Sequence, residues 1–126
     1  MKEVIYTPLA PAAIGPYSQA IKAGNTIYTS GQIGLVPATG EFAGETVEAQ
    51  AIQALENLTQ VLGAAGASLE DAVKVTVFLK DMGDFAAVNQ IYAQYFKGDC
   101  PARSAVAIAA LPKGALVEIE VIACIG

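Results

Sequence analysis

In Leu116-Val117-Glu118-Ile119-Glu120-Val121-Ile122-Ala123-Cys124 two carboxylates, Glu118 and Glu120, alternate with Val117, Ile119 and Val121, and the stretch follows closely on Cys100-Pro101-Ala102-Arg103-Ser104. A period of two is the mark of a strand with two unlike faces. Val117, Ile119, Val121 and Ala123 suit a face covered by helices. Glu118, Glu120, Ile122 and Cys124 fall on the opposite, open face. Arg103 stands at the mouth of the run Ala105–Leu111, which holds no other charge. Charge in such apolar strands is costly unless it is paired or solvated. One cation and two carboxylates aimed at one place read as a buried ion pair or, equally, as a site for a small carboxylate and a water.

Ala72–Lys80 is the next alternating stretch outward. It is expected to put Val73, Val75, Val77 and Leu79 on one face and Lys74, Thr76, Phe78 and Lys80 on the other. Before it, Ala51, Leu55, Leu58 and Leu62 recur at helical spacing, and Val47, Ala54 and Val61 widen the stripe. With Thr46 as N-cap, Glu48 in the first turn and Gly66 just past the end, a helix is expected over roughly 46–65. Behind it, Asp81–Asp84 reads as a turn and helix start. Phe85, Val88, Tyr92, Tyr95 and Phe96 form the stripe of a second helix, closed by Gly98. These aromatics read as core. Asn89 sits beside them, within reach of a ligand.

The N-terminal third reads as short strands. Glu3–Thr7 is stopped by Pro8 and Pro11, since proline cannot join a ladder interior. A loop over Ala12–Tyr17 follows. Ser18–Ala23 and Asn25–Ser30 then form a hairpin around Gly24-Asn25, a two-residue turn of suitable chemistry. Gly31-Gln32-Ile33-Gly34 has two glycines that allow close backbone approach, at a spacing foreign to dinucleotide or P-loop fingerprints. Pro37–Gly44 is a polar loop.

The order β, hairpin, α, β, α, β, β predicts an α+β fold: a single domain over 1–126, one mixed sheet, two helices packed on one face. Two helices cannot cover both sides of such a sheet. Its second side is too apolar to be left to water, so another subunit is expected to cover it.

Bulk composition agrees. The 126 residues are 54% apolar and only 15% charged, with a mean hydropathy of +0.47. That exceeds the apolar norm of roughly 45–50% and places the excess in a subunit interface. No apolar run approaches the roughly 18 residues of a membrane span. A net charge of −5, with seven Lys and Arg and no basic cluster, argues against nucleic acid as a partner. Cys100 and Cys124, the only cysteines, are too few for a disulfide framework or a thiolate metal site. With no signal-peptide pattern at Met1–Val4, a cytoplasmic chain with reduced thiols is expected. There is no histidine. Acid–base work must therefore fall to Glu, Asp, Tyr, Lys, Cys or water.

Ala13-Ile14-Gly15-Pro16-Tyr17-Ser18-Gln19-Ala20, Tyr28-Thr29-Ser30-Gly31-Gln32-Ile33 and Val75-Thr76-Val77-Phe78-Leu79-Lys80-Asp81-Met82 resemble segments of the RidA family, also called YjgF. So do Phe85–Phe96, Pro101-Ala102-Arg103-Ser104, Leu111-Pro112-Lys113 and Val117-Glu118-Ile119-Glu120, in order along nearly the whole chain. The resemblance implies a chorismate-mutase-like fold and a homotrimer with a central β-barrel and clefts between subunits. It implies a hydrolase, a deaminase of 2-iminobutanoate and 2-iminopropanoate. Such imines come from pyridoxal-phosphate enzymes, and hydrolysis gives 2-oxo acids and ammonia without metal or cofactor.

Carried over by residue, Arg103 would hold the substrate carboxylate, helped by the Gly31 N–H and the Ser30 hydroxyl. Glu118 would orient the attacking water. Asn89 and Tyr17, the latter from an adjacent subunit, would wall the pocket, with Ile33 and Phe85 as apolar lining. Ala105 stands where many members carry cysteine, which leaves only its backbone carbonyl for substrate binding. Glu120 would support Glu118 or pair with Lys113. Two other classes stay open: a non-catalytic carboxylate-binding or holdase module, and an endoribonuclease or translation inhibitor. Acidic charge and the lack of histidine count against the second.

Overall fold

In the computed structural model, which describes Met1–Gly126, the alternating strand read first lies inside the sheet rather than at its edge. The chain runs β1 (Lys2–Ile5), β2 (Ala20–Ala23), β3 (Thr26–Thr29), β4 (Gln32–Ile33), α1 (Val47–Ala64), β5 (Ala72–Leu79), α2 (Phe85–Tyr95), β6 (Ala102–Ala107) and β7 (Val117–Cys124). One mixed sheet has the order β1-β2-β3-β7-β5-β6, with β4 also on β7. Only β5 and β6 pair in parallel. The expected α+β architecture holds, and no helix is long and apolar enough to cross a membrane.

The two faces of β7 separate as its alternation predicts. Val117, Ile119, Val121 and Ala123 are 0–1% exposed, and Glu118, Glu120 and Ile122 are half-buried opposite them. The inner row meets α1, whose Leu55, Leu58, Val61 and Leu62 are fully buried. Burying each such side chain stabilises by about 1.5–3 kcal/mol, so this seam anchors the fold. The Thr46 hydroxyl caps α1 by accepting from the Ala49 N–H at 3.1 Å, and Gly66 leaves it at a φ of +82°.

Two local readings are corrected. Val73 was expected in the core row of β5 but is 49% exposed. Ala72 pairs with Ala123 and Lys74 with Ile122, so one residue is skipped in the register. This bulge gives the inward place to Ala72 and turns Val73 out. The N-terminal strand ends at Ile5, not Thr7, and the hairpin arm starts at Ala20, not Ser18. The cause is Gln19, which is 2% exposed. Its Oε1 accepts the Thr7 N–H at 2.7 Å, and its Nε2 donates to the carbonyls of Thr7 at 3.0 Å and Pro11 at 2.9 Å. A side chain thus takes over the ladder and ties down the loop that carries Tyr17.

The sheet face away from the helices carries a continuous apolar row. Val4 pairs with Ile21, Ile21 with Tyr28 and Tyr28 with Ile122, across four strands. Val4 is 61% and Tyr28 49% exposed in the single chain. The edge strand β6 adds Val106, 41% exposed.

Candidate active site

Glu118 sits near the start of β7, on the open face, opposite Ile33 of β4 on one side and Phe78 of β5 on the other. It lines a cavity of about 500 Å³ together with Tyr17, Ser30, Gly31, Ile33 and Lys113. The Ser30 hydroxyl donates to the Ser18 carbonyl at 2.6 Å, and the Ser30 N–H donates to the Gln19 carbonyl at 2.9 Å. Behind the cavity, buried Asn57 of α1 donates to the carbonyls of Leu35 at 2.9 Å and Ile33 at 3.3 Å, which fixes β4 and the turn after it. A slightly larger open cleft of about 570 Å³, beside Glu41, Phe42 and Lys113, holds none of the residues expected in a site.

Gly31 is where Glu118 packs onto bare backbone. A Cβ at Gly31 would lie 2.7 Å from Glu118 Cδ and 2.9 Å from its Cγ. Burial raises the Glu118 pKa, and the nearby Glu120 carboxylate raises it further. Such a carboxyl can both take and return a proton nearer neutrality than an exposed one. Gly31→Ala is expected to displace this carboxyl. Any activity that depends on the placement of this carboxyl should fall by roughly 10²-fold, on the scale of a group misplaced by about an ångström, while the circular-dichroism melting curve stays cooperative.

Arg103 belongs to a different surface. Its register partner is Val75, a fully buried core residue, so its side chain leaves the sheet on the helix side. There its Nη1 donates to the Asn89 Oδ1 at 2.8 Å. Its guanidinium carbon lies 4.7 Å from the Tyr92 ring centroid and 5.3 Å from that of Phe85. The hydrogen-bond partner is thus a neutral amide, and the charge stays exposed. An arginine has five N–H donors in a planar fork, so most of this fork is free for an anion. Ala105, opposite Val77, follows on the same side and is half-buried.

Within one chain the charges are therefore not aimed at one place. Glu118 pairs with Phe78 and Glu120 with Thr76, on the face opposite Arg103. The parity of the β5–β6 register decides this. Arg103 matches an inward residue of β5, whereas both glutamates match outward ones. A bond between Arg103 and either glutamate of the same chain is excluded. The structure brings Tyr17, Ser30 and Gly31 to Glu118, and Asn89 and Ala105 to Arg103. Ser30 and Gly31, expected beside the arginine, lie within the chain beside Glu118. Glu120 faces Thr76, and Lys113, with a left-handed φ of 57°, belongs to the Glu118 cavity. Sequence reading missed the ring bed under Arg103. Its signal was present in Phe85, Asn89 and Tyr92, spaced to share one helix face.

A family model described as endoribonuclease L-PSP matches residues 7–125. A RutC family protein of Pyrococcus horikoshii is 56% identical over 123 residues, 98% of each chain. A Mus musculus protein named 2-iminobutanoate/2-iminopropanoate deaminase is 53% identical over 126 residues, which is 100% of this chain and 93% of its own. The crystal structure of RidA from an Antarctic Psychrobacter superposes with a TM-score of 0.94 at 50% identity, over 98% of this chain and 99% of that one.

Proposed function

This chain belongs to the RidA (YjgF) family, and we propose from that premise that it is a 2-iminobutanoate/2-iminopropanoate deaminase working as a homotrimer. The observation that carries the proposal is the division of the site. One face offers a carboxyl of raised pKa in a cavity, and the other offers a guanidinium with free donors. Neither half is a site for an imino acid alone. A neighbouring chain that lays its Arg103 beside Glu118 completes one. The exposed apolar row through Val4 and Tyr28 and the bare edge of β6 supply the surface for that association, with the open faces forming a central barrel.

In the completed site Arg103 grips the substrate carboxylate through paired N–H donors. Asn89 holds the guanidinium, and Tyr17 with Ile33 walls the opposite side. Water stands on Glu118, about 3–3.5 Å from the imine carbon in a near-attack arrangement. As the water oxygen bonds to that carbon, the electron pair of the C=N bond moves to nitrogen and Glu118 takes a proton. The result is a carbinolamine. Glu118 then returns the proton to nitrogen, the C–N bond breaks, and ammonia leaves as the hydroxyl oxygen becomes a carbonyl. The proton left on that oxygen passes to ammonia, so iminium and water become 2-oxo acid and ammonium. A protonated imine is electrophilic enough to need no cofactor.

Activity is tested by coupling an L-amino-acid oxidase or threonine dehydratase to this protein and following imine loss. Acceleration is expected, and binding of 2-oxobutanoate without acceleration would leave a non-catalytic module. The endoribonuclease description of the family model gives the other reading. An acidic chain with no histidine makes poor equipment for it. RNA cleavage that survives further purification and is lost in Arg103→Ala would favour it. A cytoplasmic location suits the two unpaired cysteines.

The raised Glu118 pKa also sets a pH dependence. The base must be ionised, so the acid limb of kcat/KM should lie above the free glutamate value of about 4.3. Glu120→Gln removes a neighbouring charge and should move the limb down, read from a pH–rate profile. For stability the sign is opposite to that of an ion-paired carboxylate. The folded state keeps this proton to higher pH than the unfolded state does. Its contribution is present below the unfolded pKa and is lost as pH rises through the folded one.

A further inference from the structure

Phe85, Asn89 and Tyr92 fall at i, i+4 and i+7 of α2, on one helix face. All three meet the Arg103 guanidinium, Asn89 by a hydrogen bond and the two rings at 5.3 and 4.7 Å. Tyr92 is itself immobilised. It is 6% exposed and stacks on buried Phe96 with centroids 4.3 Å apart and planes 29° from parallel. Its ring is a fixed plate beneath an arginine that stands on an exposed edge strand. Its hydroxyl is buried and has no hydrogen-bond partner. An orphan hydroxyl costs stability, so what this residue contributes at the site is the ring.

The geometry points to Tyr92 as a positioning residue for the carboxylate grip, its ring fixing the plane of the Arg103 guanidinium while Asn89 fixes the rotation within that plane. This rests on the deaminase reading above. A free arginine loses rotamer freedom when it closes on an anion, and one already held flat loses less. The substrate carboxylate takes no part in bond making. It is held alike before and during water attack, so a loosened arginine raises KM and spares kcat.

The test measures kcat and KM for 2-iminobutanoate generated in place, Kd for 2-oxobutanoate, and melting temperature. Tyr92→Leu is expected to raise KM and Kd by roughly three- to tenfold, the worth of a ring under a cation, with kcat within about twofold of the parent. Tyr92→Phe restores the ring and should rescue both constants, with a melting temperature at or above the parent's because the orphan hydroxyl is gone. A lowered melting temperature with KM unchanged in Tyr92→Leu would make the residue packing only and overturn the proposal. Failure of Tyr92→Phe to rescue would overturn it too, by giving the role to the hydroxyl. If Tyr92→Leu does not fold, half-buried Phe85 carries the test. Phe85→Leu should raise KM alone, and an unchanged KM would overturn the proposal. Arg103→Ala is the control. If it leaves Kd for 2-oxobutanoate unchanged, the deaminase reading fails, whatever the rings do.

Discussion

Glu118→Gln should lower imine hydrolysis by about 10²–10⁴-fold, the usual worth of a positioned acid–base group. KM should move little, because the amide keeps the shape of the cavity and the carboxylate grip lies elsewhere. The same variant should be more stable than the parent at neutral pH. The carboxyl sits half-buried against Gly31 with Glu120 as a like-charged neighbour, and both features disfavour its ionised form. Replacing it by a neutral isostere removes that strain. In acid, where the parent carboxyl is protonated as well, the difference in melting temperature should vanish. An enzyme that keeps full rate would remove Glu118 from the chemistry. A variant that loses rate and stability together would make the residue structural.

Arg103→Ala should weaken 2-oxobutanoate binding by roughly 10²–10⁴-fold, since two hydrogen bonds to a charged group are lost at about 1.5–3 kcal/mol each. The arginine is exposed on the edge strand and its intrachain hydrogen bond goes to a neutral amide. Its removal leaves no buried charge unpaired. Folding and assembly should therefore persist, as seen by light scattering. Loss of the assembly with the binding would instead make Arg103 a structural contact between chains. Arg103→Lys is not a conservative control, because a point charge cannot lie flat on the Tyr92 ring or present a fork.

The alternation of Val117–Cys124 and the heptad-like stripe of Leu55, Leu58 and Leu62 made the core legible, because periodicity and burial are the same fact seen twice. The helix ends were equally plain at Thr46 and Gly66. Val73 was misplaced because a bulge leaves no mark in a run of alternating residues. The N-terminal strand ends were misplaced because Gln19 competes for backbone partners, and nothing local announces that its side chain turns inward. For the site, residue types were legible and their grouping was not. Arg103 and Glu118 were both singled out. Which face each takes depends on strand register, and register is a pairing between segments far apart in the chain. The aromatics of α2 read as core, and Tyr92 and Phe96 are core. That one of them also carries the arginine could be read only once β6 was placed against the helix.

The most direct test of a site shared between chains mixes the two inactive variants. Arg103→Ala and Glu118→Gln protein are denatured together in equal amounts, refolded and assayed for imine hydrolysis. If each site takes Arg103 from one chain and Glu118 from the next, random reassortment makes about one site in four whole, and about a quarter of the parental activity should return. If both residues served a site within one chain, no mixed assembly would hold an intact one. A refolded, fully exchanged mixture that stays as inactive as its two components would contradict the account.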